Sequence, residues 1–355
     1  MSVFSAPLSP LSIPSPSHTL VSSLQPSWNG SPQFGNKYTA AYRGHAKRAG
    51  APWDDSDADL VLRSAEDVEF RVHRVILARS LSAFDLSSLF TRSGEQELSE
   101  DGIPILRLPD TADTVAILLS ALYPGPAPTL TDLSAVRSLL GSLDRYGARF
   151  VPASICSALE ALATAEPEQT YVLACAARLA DIARIAARAT LRAPRQLAPV
   201  PRSNLGAMTA LQYHALVLYQ DDCRAAARGV ANSFAWIAGD DIPGAVAADP
   251  NRSSLECGCP AAHEQTEGRK GAHAPPYYLV PEWVRKYMAA VAEALTKDVR
   301  GEVARKPAMI IPALKEAFAC NECGNTVETT FTAFAEKLQH KIEERIAEVH
   351  LEVDT

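Results

Sequence analysis

Asp59-Leu-Val-Leu-Arg-Ser64, followed after a short gap by Phe70-Arg-Val-His-Arg-Val-Ile-Leu-Ala-Arg-Ser80-Leu-Ser-Ala-Phe84, is the stretch on which the fold turns. Three aliphatic residues in a row, Leu60 to Leu62, predict a strand covered on both faces. Ala65-Glu-Asp-Val-Glu69 is polar enough to turn. Phe70, Val72 and then Arg74 fall on one side, with Arg71 and His73 on the other. That period of two predicts a second strand and hence a hairpin. Val75-Ile-Leu-Ala78 continues the apolar run into a connection. Ser80 is placed to cap a helix whose apolar positions are Leu81, Phe84, Leu86, Leu89 and Phe90.

Downstream residues extend the same alternation of short strands and helices. Ile103-Pro-Ile-Leu-Arg-Leu-Pro-Asp110 reads as a third strand, ended by a proline that cannot donate to a ladder. Asp110 or Thr111 can open the next helix, with Val115, Leu118, Leu119 and Leu122 as its buried face. Tyr123-Pro-Gly-Pro-Ala-Pro128 stops that helix. A helical run from Leu133 to Leu143 leads into Asp144-Arg-Tyr-Gly147, and another helix follows through Leu159.

Taken together, residues from Asp57 to Leu162 resemble a BTB/POZ domain. The hairpin–helix opening, the Tyr123-Pro-Gly stop and the Asp144-Arg-Tyr-Gly147 signature carry the likeness, in the family's order. The resemblance implies an α+β domain, a small sheet with helices, used for binding proteins rather than for catalysis. Its structural motif falls here on Asp59, Phe70, His73, Leu77, Ser80, Phe84 and Tyr146. It also implies a buried polar network in which Asp59 and His73 tie the hairpin to the following helix. A lone His such as His73 is ordinarily structural, and no neighbouring spacing suggests a nucleophile or a metal.

Composition fits ordinary globularity. A chain of 355 residues with 47% hydrophobic content can build two or three cores. Net charge is −7 and the pI is near 5.7, so the whole surface favours neither nucleic acid nor anionic membrane. No apolar run reaches the length of a membrane span. Seven cysteines, an odd number scattered over a long chain, do not read as a secreted disulfide scaffold. Asn29-Gly-Ser and Asn251-Arg-Ser are glycosylation sequons that carry no weight without a secretory signal. A cytoplasmic or nuclear location is expected.

Residues 1–53 read as a disordered Ser/Pro-rich tail. Sixteen of the first 32 residues are Ser or Pro, and the first charge of either sign is Lys37. Such a segment cannot bury enough apolar surface to offset its ordering entropy. A phosphorylated tail and a proline-rich ligand are its functional readings, while six prolines break the amphipathic helix that a transit peptide needs.

Residues 54–162 read as the block that resembles a BTB/POZ domain, and 163–194 read as a helical extension. From Glu168 to Leu191 an apolar face comprises Tyr171, Ala174, Cys175, Leu179, Ile182 and Ile185. Arg184, Arg188 and Arg192 recur at steps of four on the other side. The stripe is short, lacks aromatics and lies in an acidic protein, so a solvated helix face is favoured over a nucleic-acid patch. Ala193-Pro-Arg-Gln-Leu-Ala-Pro-Val-Pro-Arg202 marks a boundary. Residues 203–354 then read as a mainly α-helical C-terminal domain. Leu205–Phe234 carries Leu211, Leu216, Val217 and Leu218, and Trp236 closes it. Asp240–Pro276, rich in Gly, Pro and Asp, reads as a long ordered loop. Trp283, Tyr287, Val291 and Leu295 recur every four residues in one helix. Phe331, Phe334, Leu338, Ile342, Ile346 and Val349 define the last, whose charged face could meet a partner helix but by default leaves the helix packing on its own domain.

Cys257-Gly-Cys259 and Cys320-Asn-Glu-Cys323 are paired cysteines at spacings that can supply four thiolates to one structural zinc, with His263 a possible substitute. The alternatives are free thiols buried as small hydrophobes and a redox dithiol, the latter without the βαβ surroundings such sites use. Cys156, Cys175 and Cys223 sit at apolar helical positions and read as core.

Dinucleotide, phosphate-loop and nucleophile-elbow motifs are missing from the sequence, and His263-Glu264 has no second His of a zinc protease. The expected function is therefore a non-enzymatic interaction adaptor, with a cullin-type ubiquitin ligase scaffold as the leading partner class. A transcription-associated BTB protein acting through partners comes second, then a zinc-stabilised nucleic-acid binder, then an unrecognised enzyme. No C₂H₂ finger or basic region supports direct DNA binding. The order of segments after residue 56 also resembles uncharacterised BTB-domain proteins of basidiomycete fungi, a fungal set with no chemistry to carry over. Ala49-Gly-Ala-Pro-Trp-Asp-Asp-Ser56 cannot form the amphipathic helix of swapped BTB dimers, so a monomer or weak dimer is expected.

Overall fold

Leu60, Val61 and Leu62 are all buried because the strand they form is covered on both faces. In the computed structural model, which describes residues 46–84, 97–192, 206–248, 254–255, 257–267 and 277–353, this strand is β2 (Leu60–Arg63). It lies in a four-stranded sheet with β1 (Lys47–Arg48), β3 (Val68–Val72) and β4 (Ile105–Arg107), in the order β1-β3-β2-β4. β2 and β3 are the predicted hairpin, antiparallel with Leu60 opposite Val72 and Leu62 opposite Phe70. β4 joins β2 in parallel, with Val61 beside Ile105. β1 pairs in parallel with β3 and lies inside the stretch read as tail: two residues carry no periodicity from which a strand could be predicted. No helix forms over 46–59. The remainder of the Ser/Pro-rich tail, residues 1–45, lies outside the described residues.

The first helix corrects the sequence reading. α1 (Arg74–Ser80) occupies the run taken as a connection, and Ser80 is its last residue rather than the cap of a following helix. Leu81 is extended and starts a 3₁₀ turn, Ser82–Phe84. The expected helical positions Leu86, Leu89 and Phe90 lie outside the described residues. α2 (Ala112–Leu122) is capped by Thr111, whose side chain accepts from the Thr114 N–H, and buries Val115, Leu118 and Leu119 as expected. α3 (Leu133–Arg145) starts at an Asp132 cap, and α4 (Ala153–Leu162) follows.

The extension forms two helices, α5 (Pro167–Ala176) and α6 (Ala180–Thr190), separated where Arg178 adopts a positive φ of 58°. Breaking the run rotates its second half, so Tyr171, Ala174, Cys175 and Ile182 are buried while Ile185 is exposed, against the single-face reading. The Pro-rich boundary after α6 falls in residues outside the description.

α7 (Ala210–Ala231) opens with a Thr209–Gln212 capping box, a side chain and a backbone N–H satisfied in each direction. Its buried face is Leu216, Tyr219, Cys223, Ala227 and Val230; Leu211 and Leu218 point to solvent. Asp240–Pro276, expected as a long ordered loop, contributes two strands instead. β5 (Val246–Ala247) and β6 (Ala261–Gln265) flank β7 (Tyr277–Pro281) in an antiparallel sheet, order β5-β7-β6. β7 runs directly into α8 (Glu282–Ala294), whose Trp283, Tyr287 and Val291 are buried, as is Leu295 just beyond it. α9 (Pro307–Phe318) precedes α10 (Asn321–Ala347), which starts ten residues before its clear periodicity at Phe331.

α10 packs its apolar face on its own domain. Phe331, Phe334, Leu338, Ile342 and Ile346 are buried, and Phe331 meets Tyr287 edge to face at 4.8 Å. Val349 lies past the helix end, partly covered by the core. From the basic stripe, Arg188 pairs with Glu343 of α10 at 2.7 Å, while Arg184 pairs with Asp181 within α6. One hydrophobic cluster runs from Trp53 to Leu351, so the sheet-and-helix block and the helical region share a continuous core.

Candidate functional site: the hairpin–helix block and a four-cysteine cluster

The hairpin supplies caps for both helices packed against it. α1 has no side-chain cap of its own at His73. The Asp59 carboxylate, from β2's leading edge, accepts instead from the Arg74 N–H at 2.8 Å. The Arg74 guanidinium returns two bonds to the Asp59 carbonyl at 3.1 and 3.2 Å. An acidic oxygen at a helix N-terminus satisfies an orphan donor and meets the positive end of the helix dipole, an effect of about 0.5–2 kcal/mol. Glu66, in the hairpin turn, does the same for α2 by accepting from the Ala112 N–H at 2.7 Å. That bond, with help from the Ser64 hydroxyl, holds the Glu66 carboxyl below the usual carboxylate range.

Asp59 and His73 therefore do join strand to helix, but not as a buried pair. Asp59 is exposed, and His73 turns to other partners. The His73 N–H donates to the Tyr123 hydroxyl at 2.7 Å, and its Nε2 lies 3.1 Å from the Asp57 carboxylate. Tyr123, the helix-stopping tyrosine, also meets Trp53 edge to face at 5.1 Å. Asp55, Asp57 and His73 cluster here, with both carboxylates exposed.

The buried polar network lies one layer away, around Asp110. Its carboxylate accepts from Ser142 at 2.6 Å, from Arg145 at 2.7 Å and from the Tyr146 hydroxyl. Its side chain is only 8% exposed, so these donors replace water almost completely. Burial, then the adjoining Asp110 carboxylate, pushes the Tyr146 phenol well above its ordinary range. The Tyr146 ring also packs edge to face on Phe84 at 5.6 Å. Gly147 follows at φ +63°, and a Cβ there would lie 2.1 Å from the Ser82 Oγ, which explains the glycine in the Asp144-Arg-Tyr-Gly147 signature. Phe70, Leu77, Ser80, Phe84 and Tyr146 are all buried. Sequence reading placed Asp110 only as a helix opener, because its partners are more than thirty residues away.

Between this block and the extension runs a groove of about 600 Å³ bordered by Leu140, Phe150, Val172 and Leu173. Its titratable groups are Arg137, Asp144, Arg149 and Arg178, three guanidiniums and a carboxylate near the end of α3.

The second assembly is sulfur. Cys257 and Cys259 precede β6, where Gly258 takes a φ of +71° that lets two residues either side of it face one point. Cys320 is the N-cap of α10 and Cys323 lies in its first turn. The Sγ atoms of Cys257 and Cys259 stand 3.8 and 3.9 Å from that of Cys323, and all four lie within 4.8 Å of one another. Cys323 is buried and the other three are half-buried. Backbone N–H groups of Cys323 and Glu322 at the helix start help bring the Cys320 thiol down to about 7, whereas burial raises Cys323 to about 11. His263, on β6, is exposed and outside the cluster. Cys175 and Cys223 are buried in the helical core and Cys156 is half-buried against it.

Residues 52–161 match the family described as BTB/POZ domain. Sheet, helices and the Asp110–Tyr146 network all fall in or border that span, so this part of the chain is a BTB domain, a protein–protein interaction module. A mainly helical region follows it. The chain matches no curated protein. No helix among the described residues is long and apolar enough to cross a membrane.

Proposed function

We propose that this protein is a non-enzymatic adaptor whose BTB domain engages a partner protein while the C-terminal region presents a second surface. The observation that carries the reading is the family match over residues 52–161. Within this reading the partner is a cullin-type ubiquitin ligase scaffold, in the cytoplasm or the nucleus, and the C-terminal region selects what is brought to it.

Affinity capture of the intact protein from its own cells, followed by direct binding of purified components, tests this. The expected result is recovery of a cullin that also binds the purified protein. Recovery of transcription regulators that bind directly would move the function to a transcription-associated BTB protein. Direct binding to neither class would overturn the adaptor reading.

A further inference from the structure

We propose that Cys257, Cys259, Cys320 and Cys323 bind one zinc ion as a closed tetrathiolate that clasps the loop before β6 to the N-terminus of α10. A regular ZnS₄ tetrahedron with Zn–S bonds of about 2.3 Å has sulfur–sulfur edges of about 3.8 Å. Two edges of the cluster, at 3.8 and 3.9 Å, have that length, and none exceeds 4.8 Å.

These distances separate the site from its alternatives. A disulfide would bring two sulfurs to about 2.05 Å, roughly half of what is seen. Thiols serving as core residues are buried singly in the helical core, as Cys175 and Cys223 are; here four thiols from two segments distant in sequence, Cys257 and Cys323 being 66 residues apart, turn toward one point. The backbone is prepared for them at both ends. Gly258 supplies the left-handed turn between the first pair, and the second pair sits at the N-cap and first turn of α10. Gly244 also borders the cluster, since a Cβ there would come within 4.0 Å of the Cys323 Sγ.

Binding converts four thiols and a divalent zinc into a tetrathiolate of charge −2, with four protons released to solvent. All four positions are then filled by protein, so the ion has no place for water or substrate and its role is structural. Tetrahedral soft-sulfur coordination selects zinc or iron over harder cations. The clasp closes a long loop, joining the β5-β7-β6 sheet to the last helix.

The test uses the full chain, purified without chelator from zinc-supplied medium. Elemental analysis should find about one zinc per chain, and zinc-edge X-ray absorption should show four sulfurs at about 2.3 Å. Cys257→Ser and Cys320→Ser should each lower zinc content at least about fivefold, while Cys156→Ser retains it. Hydrogen exchange after chelation should accelerate over 257–267, 277–281 and 320–327 but leave 60–72 protected. Metal-free wild-type protein, bound iron, nitrogen or oxygen in the zinc shell, or cysteines of the cluster found as disulfides by mass would each overturn the proposal. The wild-type measurements decide the matter even if a variant fails to fold.

Discussion

Tyr146→Phe is the most informative single change in the BTB domain, because it removes one hydroxyl and little else. The ring stays buried against Phe84, so no cavity forms. What disappears is one donor to a carboxylate that is 8% exposed. A hydrogen bond to a charged acceptor contributes about 1.5–3 kcal/mol. Ser142 and Arg145 still donate to Asp110 at 2.6 and 2.7 Å, which places the loss near the lower end, about 1.5–2 kcal/mol. For a unit spanning residues 46–355 that is a fall in melting temperature of about 2–3 °C. Asp110→Ala should cost more, about 3 kcal/mol, because it strands three donors at once; the half-exposed Arg145 regains water and limits the damage. Thermal unfolding followed by circular dichroism reads both. A Tyr146→Phe protein melting within about 1 °C of wild type, or an Asp110→Ala protein no weaker than Tyr146→Phe, would refute the assignment of Asp110 as the hub.

Two further outcomes follow from the same physics. Burial raises the phenols of Tyr146, Tyr171, Tyr219 and Tyr287 above their ordinary value. A group raised on folding stabilises fully below its unfolded value and loses that contribution at higher pH, so stability should decline above about pH 10. In an alkaline absorbance titration these tyrosines should ionise together with unfolding; ionisation near pH 10 with an unchanged circular dichroism spectrum would contradict their burial. Ala49–Ser56, with its Gly, Pro and acidic residues, is unsuited to the amphipathic helix of a swapped BTB dimer, so light scattering of the full chain should give a monomer or a concentration-dependent dimer. A tight dimer unchanged on dilution would show otherwise.

Local rules reached those parts of the fold whose causes are local. The alternation of Phe70 and Val72 sets the hairpin register, and Trp283, Tyr287 and Val291 mark a helix face that is buried as predicted. The start of α1 was out of reach because its cap is Asp59, fifteen residues earlier, so the apolar run Val75–Ala78 offered no boundary of its own. The β5-β7-β6 sheet was missed for a related reason. β6, Ala-Ala-His-Glu-Gln, is partly exposed and has no apolar alternation, and it becomes a strand only by pairing with β7. Arg178 broke the extension at a non-glycine residue, which no turn rule anticipates. The cysteine spacing was readable, yet the convergence of the two pairs depends on α10 starting at Asn321, where only Cys323 and Val327, among polar neighbours, carry the buried face back from Phe331.

The central claim is that residues 52–161 are the part of the chain that holds a partner. Cross-linking mass spectrometry on the intact protein in complex with a captured, directly binding partner tests it most closely. The account predicts that cross-links to the partner concentrate within 52–161. Partner cross-links confined to the region after residue 206, with the BTB domain untouched, would contradict it.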